Sequence, residues 1–239
     1  MPSRRLPRTD DARTEAINAC YDKYNATPPS ARLITATQFG TLSTARTTWG
    51  NATNSCGPLL QAQATATEAA VAAFETCQRL VSHFIQVFNL GVERAVFPAA
   101  DRAFYQLPVS SSDVPALTSK ADVALWAGRI AIGESQRQAS GGTPMAMPDA
   151  AQVDAAATAF AALETAQSIA KDAYDAGQEA CSALRPPTDA LILDLWDTIE
   201  YNLRGETPAS SLRRRAREWG VIYRGEEEEE PVPPIPPAP

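Results

Sequence analysis

A single histidine, His83, occurs among the 239 residues, and this scarcity excludes most catalytic centres. Carboxylate metal sites in helical bundles need a Glu-x-x-His pair on each of two helices, and catalytic zinc sites use several histidines. The chain contains no Walker loop, no glycine-rich dinucleotide motif and no G-x-S-x-G elbow. We therefore expect no enzyme, no cofactor and no metal, and we predict a structural role for His83.

The sequence also lacks a long hydrophobic run. Its most apolar stretch, residues 80–90, is interrupted by polar side chains and falls short of the ~20 residues that a membrane-spanning helix needs. The N-terminal residues carry positive charge with no apolar segment behind them, so no secretory signal is predicted. These features predict a cytoplasmic protein that has no membrane partner, and they leave export without a signal open.

Cysteine is scarce, and the four cysteines form no C-x-x-C pair. Cys77 and Cys181 lie on apolar helical stripes, where buried and reduced thiols are usual. We therefore expect free thiols, although export from the cell would reopen the possibility of disulfides.

Basic residues are outnumbered by acidic ones, and the net charge of -7 argues against binding of nucleic acid. Residues 1–9 contain prolines and form either a flexible tail or a strap that docks on a neighbouring copy. Arginines near the C-terminus could contact phosphates, but the glutamates at 226–230 could neutralise them. The candidate interaction residues are Arg4, Arg5, Arg8, Arg213, Arg214, Arg215 and Arg217.

Two stretches, 58–98 and 149–184, carry the apolar periodicity of long helices. In the first stretch Ala73, Leu80 and Val87 widen the apolar face, so we expect burial against several neighbours. The pattern predicts an antiparallel helix pair packed as in a bundle. The predicted core includes Phe74, Phe84 and Phe160.

Shorter helices are predicted around this pair. Their expected spans are 10–25, 36–54, 119–139, 189–204 and 209–220, with one further helical turn at Ala99–Tyr105. Threonines make a strand the competing interpretation of 36–54. Ser55–Gly57 and Arg185–Pro187 are interpreted as turns between helices. Leu125 and Ile132 lie off the main stripe of helix 119–139, which predicts burial of that helix on more than one side.

Several acidic and basic residues are close in sequence and could hold a ligand. Exposed ion pairs are the more common outcome, and they contribute less than about 1 kcal/mol each. We therefore expect surface ion pairs at Glu93 with Arg94, Asp101 with Arg102, and Glu134 with Arg137.

The predicted fold is all-α: a helical bundle built on two long antiparallel helices with three to four shorter helices. A basic N-terminal arm (1–9) precedes the helical domain (10–224), and a disordered acidic and proline-rich tail (225–239) follows it. We expect a non-enzymatic structural protein that self-associates into a homo-oligomer or larger assembly. The alternative is an adaptor that recruits a protein partner through its proline-rich tail or its arginine-rich C-terminal helix. A small-molecule pocket near His83, Trp126 and Trp196 is the third interpretation.

Overall fold

The computed structural model describes residues 3–224, so the predicted disorder of residues 225–239 lies outside the described residues. Long helices dominate the described chain, and the all-α class is confirmed. The elements are β1 (Ser3–Arg4), α1 (Asp10–Ala26), a short 3-10 turn (Pro29–Ala31), α2 (Ala36–Glu93), a second 3-10 helix (Ala99–Tyr105), α3 (Lys120–Ala139), α4 (Ala150–Leu203), α5 (Ala209–Arg217) and β2 (Tyr223–Arg224).

The chain divides into two compact units. The terminal unit contains residues 3–58 and 175–224, and the central unit contains residues 59–174. In the terminal unit, the N-terminal part of α2 packs against the C-terminal part of α4. In the central unit, the C-terminal part of α2 packs against the N-terminal part of α4. Within the terminal unit, Gln38 of α2 contacts Asp194 of α4 and Cys56 contacts Cys181, so the two helices run antiparallel there.

In the terminal unit, α1 contacts both long helices. Trp49 of α2 donates a hydrogen bond from its indole nitrogen to the Thr14 hydroxyl at 2.9 Å. Arg13 donates two hydrogen bonds to the Asp189 carboxylate of α4, at 2.8 and 2.9 Å. Strands β1 and β2 pair antiparallel, with Ser3 opposite Arg224. The largest buried side chains of this core are Ile17, Leu42, Trp49, Ile192, Leu195 and Trp196.

In the central unit, α3 and the helix Ala99–Tyr105 pack against the late part of α2 and the early part of α4. Phe84 and Phe160 are buried in its core, as predicted. Phe74 is only half-buried, and its ring centroid lies 5.5 Å from that of Phe160. The core also includes Val81, Phe88, Tyr105, Ile130 and Val153.

Helix α2 continues through Ser55–Gly57, so the predicted turn there is wrong, as is the competing strand at 36–54. Pro58 removes one backbone donor and leaves the carbonyl of Asn54 without its usual amide partner. Asn54 is exposed, so water can satisfy that carbonyl. The helix therefore tolerates a proline that, in the sequence, suggested the start of a new helix.

Helix α4 likewise continues through Arg185–Pro187, where the sequence predicted a turn. The carbonyls freed by the two prolines belong to Ser182 and Ala183, which are both exposed. Cys181, Thr188 and Ile192 are buried on both sides of the prolines, in helical steps of seven and four. Because these residues are buried on the same face of the helix, the segments before and after the prolines stay in one continuous helix.

Local signals predicted several of the shorter helices, whereas the helices expected at 36–54 and 189–204 are parts of α2 and α4. The Thr9 side chain accepts the amide of Ala12 at 3.2 Å and begins α1 at Asp10, as expected. Ser119 and Asp122 form a reciprocal capping box at the start of α3, which begins close to its predicted position. The short helix at Ala99–Tyr105 is also confirmed.

Helix α3 is buried on one side, so the prediction of burial on several sides is wrong. Leu125 is 51% exposed and Ile132 is 62% exposed. The inner face includes Gly133, where an added Cβ would lie 2.5 Å from the backbone oxygen of Phe104. The close approach of α3 to this short helix therefore depends on glycine at position 133.

Candidate functional site

An apolar groove opens on the central unit between the late part of α2 and the segment that leads into α4. Its volume is about 760 Å³. We call it the apolar groove, and its lining residues are Leu80, His83, Gln86, Val87, Leu90, Met147, Pro148, Gln152 and Ala155. None of these lining residues carries a formal charge when His83 is neutral.

The wall of the groove on α2 is a second row of apolar side chains, which lies beside the row that faces the core. Phe84 and Phe88 point into the core, whereas Leu80, Val87 and Leu90 line the groove. Leu90 is 45% exposed, and Val87 is exposed as well. The sequence indicated a widened apolar face that is buried against neighbours. Ala73 and Leu80 are partly buried against the core, whereas Val87 is exposed, so the burial extends over only part of that face.

The opposite rim is formed by Met147 and Pro148, in the segment that leads into α4. Met147 is 76% exposed, although Met145 two residues earlier is buried in the core. Just after the rim, the Asp149 amide donates to the Gln152 side chain at 3.1 Å, and the Gln152 amide donates to the Asp149 carboxylate at 2.6 Å. This reciprocal cap fixes the start of α4 directly beside the rim.

A buried polar cluster holds the segment that precedes Met147. Glu134 is 2% exposed and Arg137 is 1% exposed, so the predicted surface ion pair is wrong. The Arg137 guanidinium donates to both Glu134 oxygens at 3.0 Å, and to the Tyr105 hydroxyl at 2.8 Å. Tyr105 in turn donates to Glu134. The Glu134 carboxylate also accepts the backbone amide of Met145 at 2.8 Å and the Gln138 amide at 3.0 Å.

The same cluster reaches two other parts of the chain. Arg137 donates to the backbone carbonyl of Thr143, and its Nη1 lies 3.8 Å from the Asp101 carboxylate. Together with the Glu134 bond to Met145, these contacts fix the path of residues 143–145. The buried cluster therefore positions the rim of the apolar groove without lining it.

The pKa of Glu134 lies below its usual value. Burial alone raises the pKa, but hydrogen bonds from Arg137, Tyr105, the Met145 amide and Gln138 outweigh that effect and hold the carboxyl ionised. Burial and the neighbouring Glu134 carboxylate raise the pKa of Tyr105, so that its hydroxyl keeps its proton and acts as a donor.

Acid should remove the stabilisation that ionised Glu134 provides. A carboxyl with a lowered folded pKa stabilises the fold above its ordinary pKa, about 4.5 here, and loses that contribution as the pH falls through its folded pKa. We therefore expect the difference in free energy of unfolding between wild type and Glu134→Gln to be largest near neutral pH and to shrink below about pH 4.5. Urea unfolding at several pH values measures it, and a difference that is constant with pH would contradict the assignment.

The connector between the helix Ala99–Tyr105 and α3 is held by a second polar contact. Arg102 is buried and donates to the Asn89 side chain of α2 at 3.0 Å and to the Val109 carbonyl at 3.0 Å. Asn89 also donates to the Ser112 carbonyl at 2.9 Å. Arg102 therefore fixes the connector rather than forming the predicted surface pair with Asp101.

His83 lies exposed on the groove wall, where it can contact a bound group but has no carboxylate or nucleophile beside it in the groove lining. Trp126 lies in the central unit and Trp196 in the core of the terminal unit, and neither lines this groove. The groove thus contains only one of the three residues around which the sequence suggested a small-molecule pocket. Glu93 and Arg94, the remaining predicted pair, are both exposed.

The candidate arginines at the N-terminus take part in contacts within the terminal unit. Arg4 pairs with Asp197 at 2.6 Å and with Glu200 at 3.0 Å. The Arg5 amide donates to the Ile222 carbonyl at 2.9 Å, whereas the Arg8 side chain is exposed. Arg4 and Arg5 therefore tie the N-terminal residues to their own chain.

The candidate arginines near the C-terminus lie on α5. Arg215 pairs with Glu206, and the Arg217 guanidinium lies 5.7 Å from the centroid of the Tyr223 ring. Arg213 is half-buried and Arg214 is exposed. The four arginines thus differ in their surroundings and do not form one uniform basic face.

Comparison with protein families, with curated proteins and with solved structures finds no match to this chain. Across residues 3–224, no helix is both long and apolar enough to cross a membrane. The same part of the chain holds no group of three or more potential metal ligands. The apolar groove is consequently the feature from which a function is argued.

Proposed function

We propose that this protein is a non-enzymatic structural protein that self-associates, and that the apolar groove of the central unit is the contact surface between copies. The observation that carries the proposal is the group of exposed apolar side chains at the groove, Val87, Leu90 and Met147. Contiguous exposed apolar surface is uncommon on monomeric proteins and marks sites of association.

The uncharged lining of the groove suits a second copy as the occupant, despite the net charge of the chain. A net charge of -7 makes copies repel one another over most of their surface. No residue that lines the apolar groove is charged when His83 is neutral, so two copies can meet at this face without placing like charges in contact. An acidic or basic partner would find no complementary charge in the lining.

Met147 supplies the complementary side chain. It stands at the groove rim with most of its surface exposed, and methionine adapts its shape to irregular apolar surfaces. In a two-fold symmetric contact, each copy would insert Met147 into the groove of the other. Each copy would then contribute the same side chain and the same groove to the contact.

The Leu90→Asp variant should dissociate the assembly. A two-fold contact contains Leu90 twice, and each buried leucine contributes about 1.5–3 kcal/mol, so we expect the dissociation constant to rise at least about 100-fold. Size-exclusion chromatography with light scattering over a range of concentrations measures the mass. Leu125→Asp is the matched control, because Leu125 is similarly exposed on α3 but lies outside the groove.

A wild-type chain that remains monomeric at tens of micromolar would overturn the proposal. Equal loss of assembly in both variants would place the contact elsewhere. Thermal unfolding of each variant by circular dichroism serves as the folding check, since both substituted positions are exposed.

A further inference from the structure

Cys56 of α2 and Cys181 of α4 face each other inside the terminal unit, with their sulfur atoms 3.2 Å apart. Both thiols are free. A disulfide bond is about 2.05 Å long, so a small rotation of the two side chains would close the gap. We propose that Cys56 and Cys181 form a reversible intramolecular disulfide by exchange with a low-molecular-weight disulfide such as glutathione disulfide, and that Cys56 is attacked first.

Helix α1 holds the two cysteine-bearing helices in this arrangement. Asp10 of α1 accepts two hydrogen bonds from Arg185 of α4, at 2.9 and 2.8 Å, four residues after Cys181. The bond from Trp49 to Thr14 ties α1 to α2, seven residues before Cys56. Because both helices are fixed to α1, the approach of the two sulfurs is a property of the folded unit.

The two sulfurs differ in access. Cys56 is half-buried, and the position of a Cβ on the adjacent Gly57 has open space around it. Cys181 is buried. The Cys56 thiol donates a hydrogen bond to the Ala52 carbonyl at 3.5 Å, so the Cys181 thiol can donate to the Cys56 sulfur. A small disulfide therefore reaches Cys56 and not Cys181.

The exchange proceeds in two balanced steps. The Cys56 thiol loses its proton to water, and the resulting thiolate attacks one sulfur of glutathione disulfide. The sulfur–sulfur bond breaks, and one glutathione leaves as a thiolate that takes a proton from water. Cys181 then loses its proton to water, and its sulfur attacks the Cys56 sulfur. The bond between Cys56 and glutathione breaks, and the second glutathione leaves as a thiolate that takes a proton from water. The two protein thiols lose two electrons, and one glutathione disulfide becomes two glutathione thiols.

The second step is the slower one. Burial raises the pKa of Cys181 to about 11, and its hydrogen bond to Cys56 and the nearby Asp10 carboxylate act in the same direction, against the smaller effect of Arg185. The mixed disulfide at Cys56 should therefore build up early in the incubation and then give way to the cross-link. Cys20 and Cys77 are excluded from the exchange because both are buried, which raises the pKa of each thiol.

The test uses the full reduced chain incubated with glutathione disulfide, denatured with an alkylating agent and mapped by mass spectrometry. In wild type we expect loss of two hydrogen atoms, a 56–181 cross-linked peptide, and alkylation of Cys20 and Cys77. Cys181→Ser should instead retain one glutathione on Cys56, and Cys56→Ser should remain unmodified. After prolonged incubation, a wild-type chain that still alkylates on all four cysteines, still keeps glutathione on Cys56, or links another pair would overturn the proposal.

Thermal unfolding of the wild-type chain gives a second measurement that needs no variant. The bond links positions 125 residues apart, so the oxidised chain should melt at least about 5 °C higher than the reduced chain. Dithiothreitol should restore the lower value. An oxidised chain with a lower melting temperature would show that closure distorts the fold and would overturn formation of the bond in the native arrangement.

Discussion

The Arg137→Met variant is expected to be destabilised by about 3–5 kcal/mol, since it removes one partner of a buried ion pair and leaves the other charged. Methionine keeps much of the apolar bulk of the arginine stem, so the loss reports on the guanidinium. Without it, the Glu134 carboxylate stays buried with neutral donors only, and the Thr143 carbonyl loses its bond. Urea unfolding gives the free energy, and hydrogen exchange shows whether protection falls within residues 59–174.

Two further variants separate charge from packing. Arg129→Met makes the same exchange on the same helix, at a half-buried arginine that lies over the Trp126 ring, and should cost less than about 1 kcal/mol. The double variant Glu134→Gln with Arg137→Met carries no buried charge at this pair. It should be more stable than Arg137→Met alone by at least about 1 kcal/mol. If the double variant is the less stable of the two, an unpaired charge is not the cause of the loss.

The Phe84→Ala variant should also lose about 3–5 kcal/mol, because it leaves a cavity in the central core. Phe84 is almost fully buried and packs edge-on against Tyr105, with the ring centroids 5.5 Å apart. The substitution therefore removes a wall of the site that holds the Tyr105 hydroxyl on Glu134. Chemical unfolding measures this loss. The losses of stability from Phe84→Ala and Arg137→Met should not add in the double variant, because both substitutions act through Tyr105.

Phe74→Ala is the comparison for this variant. Phe74 lies on the same helical stripe but is half-buried, so its removal leaves a smaller cavity and should cost about half as much or less. A loss below about 1 kcal/mol for Phe84→Ala would show that the core closes over the missing ring.

Local chemistry made several elements predictable from sequence. The starts of α1 and α3 were predictable because a helix cap joins residues only three positions apart: Thr9 with Ala12 in α1, and Ser119 with Asp122 in α3. Local chemistry failed at Pro58 and Pro186. There the tertiary contacts of α2 and α4 outweigh the helix-breaking preference of proline, and the freed carbonyls lie at exposed residues.

The polar centre of the central unit could not be recognised in the same way. Glu134 and Arg137 are spaced like many exposed helical ion pairs, and spacing does not show burial. The third member, Tyr105, lies 29 residues before Glu134 and belongs to another element. The sequence pattern placed Leu80 and Val87 of the groove on the apolar face of the helix. Met147, on the other wall, comes from a segment that carries no periodic pattern, so the sequence did not indicate it.

The division of the chain has a consequence for its synthesis. The central unit is one uninterrupted stretch, 59–174, whereas the terminal unit is assembled from two stretches that this insertion separates. The terminal core needs Ile199 and Trp219, so it cannot be completed until nearly the whole described chain has left the ribosome. The first 58 residues must therefore wait through the translation of the central unit for their packing partners, and the nascent chain carries an open apolar face during that interval.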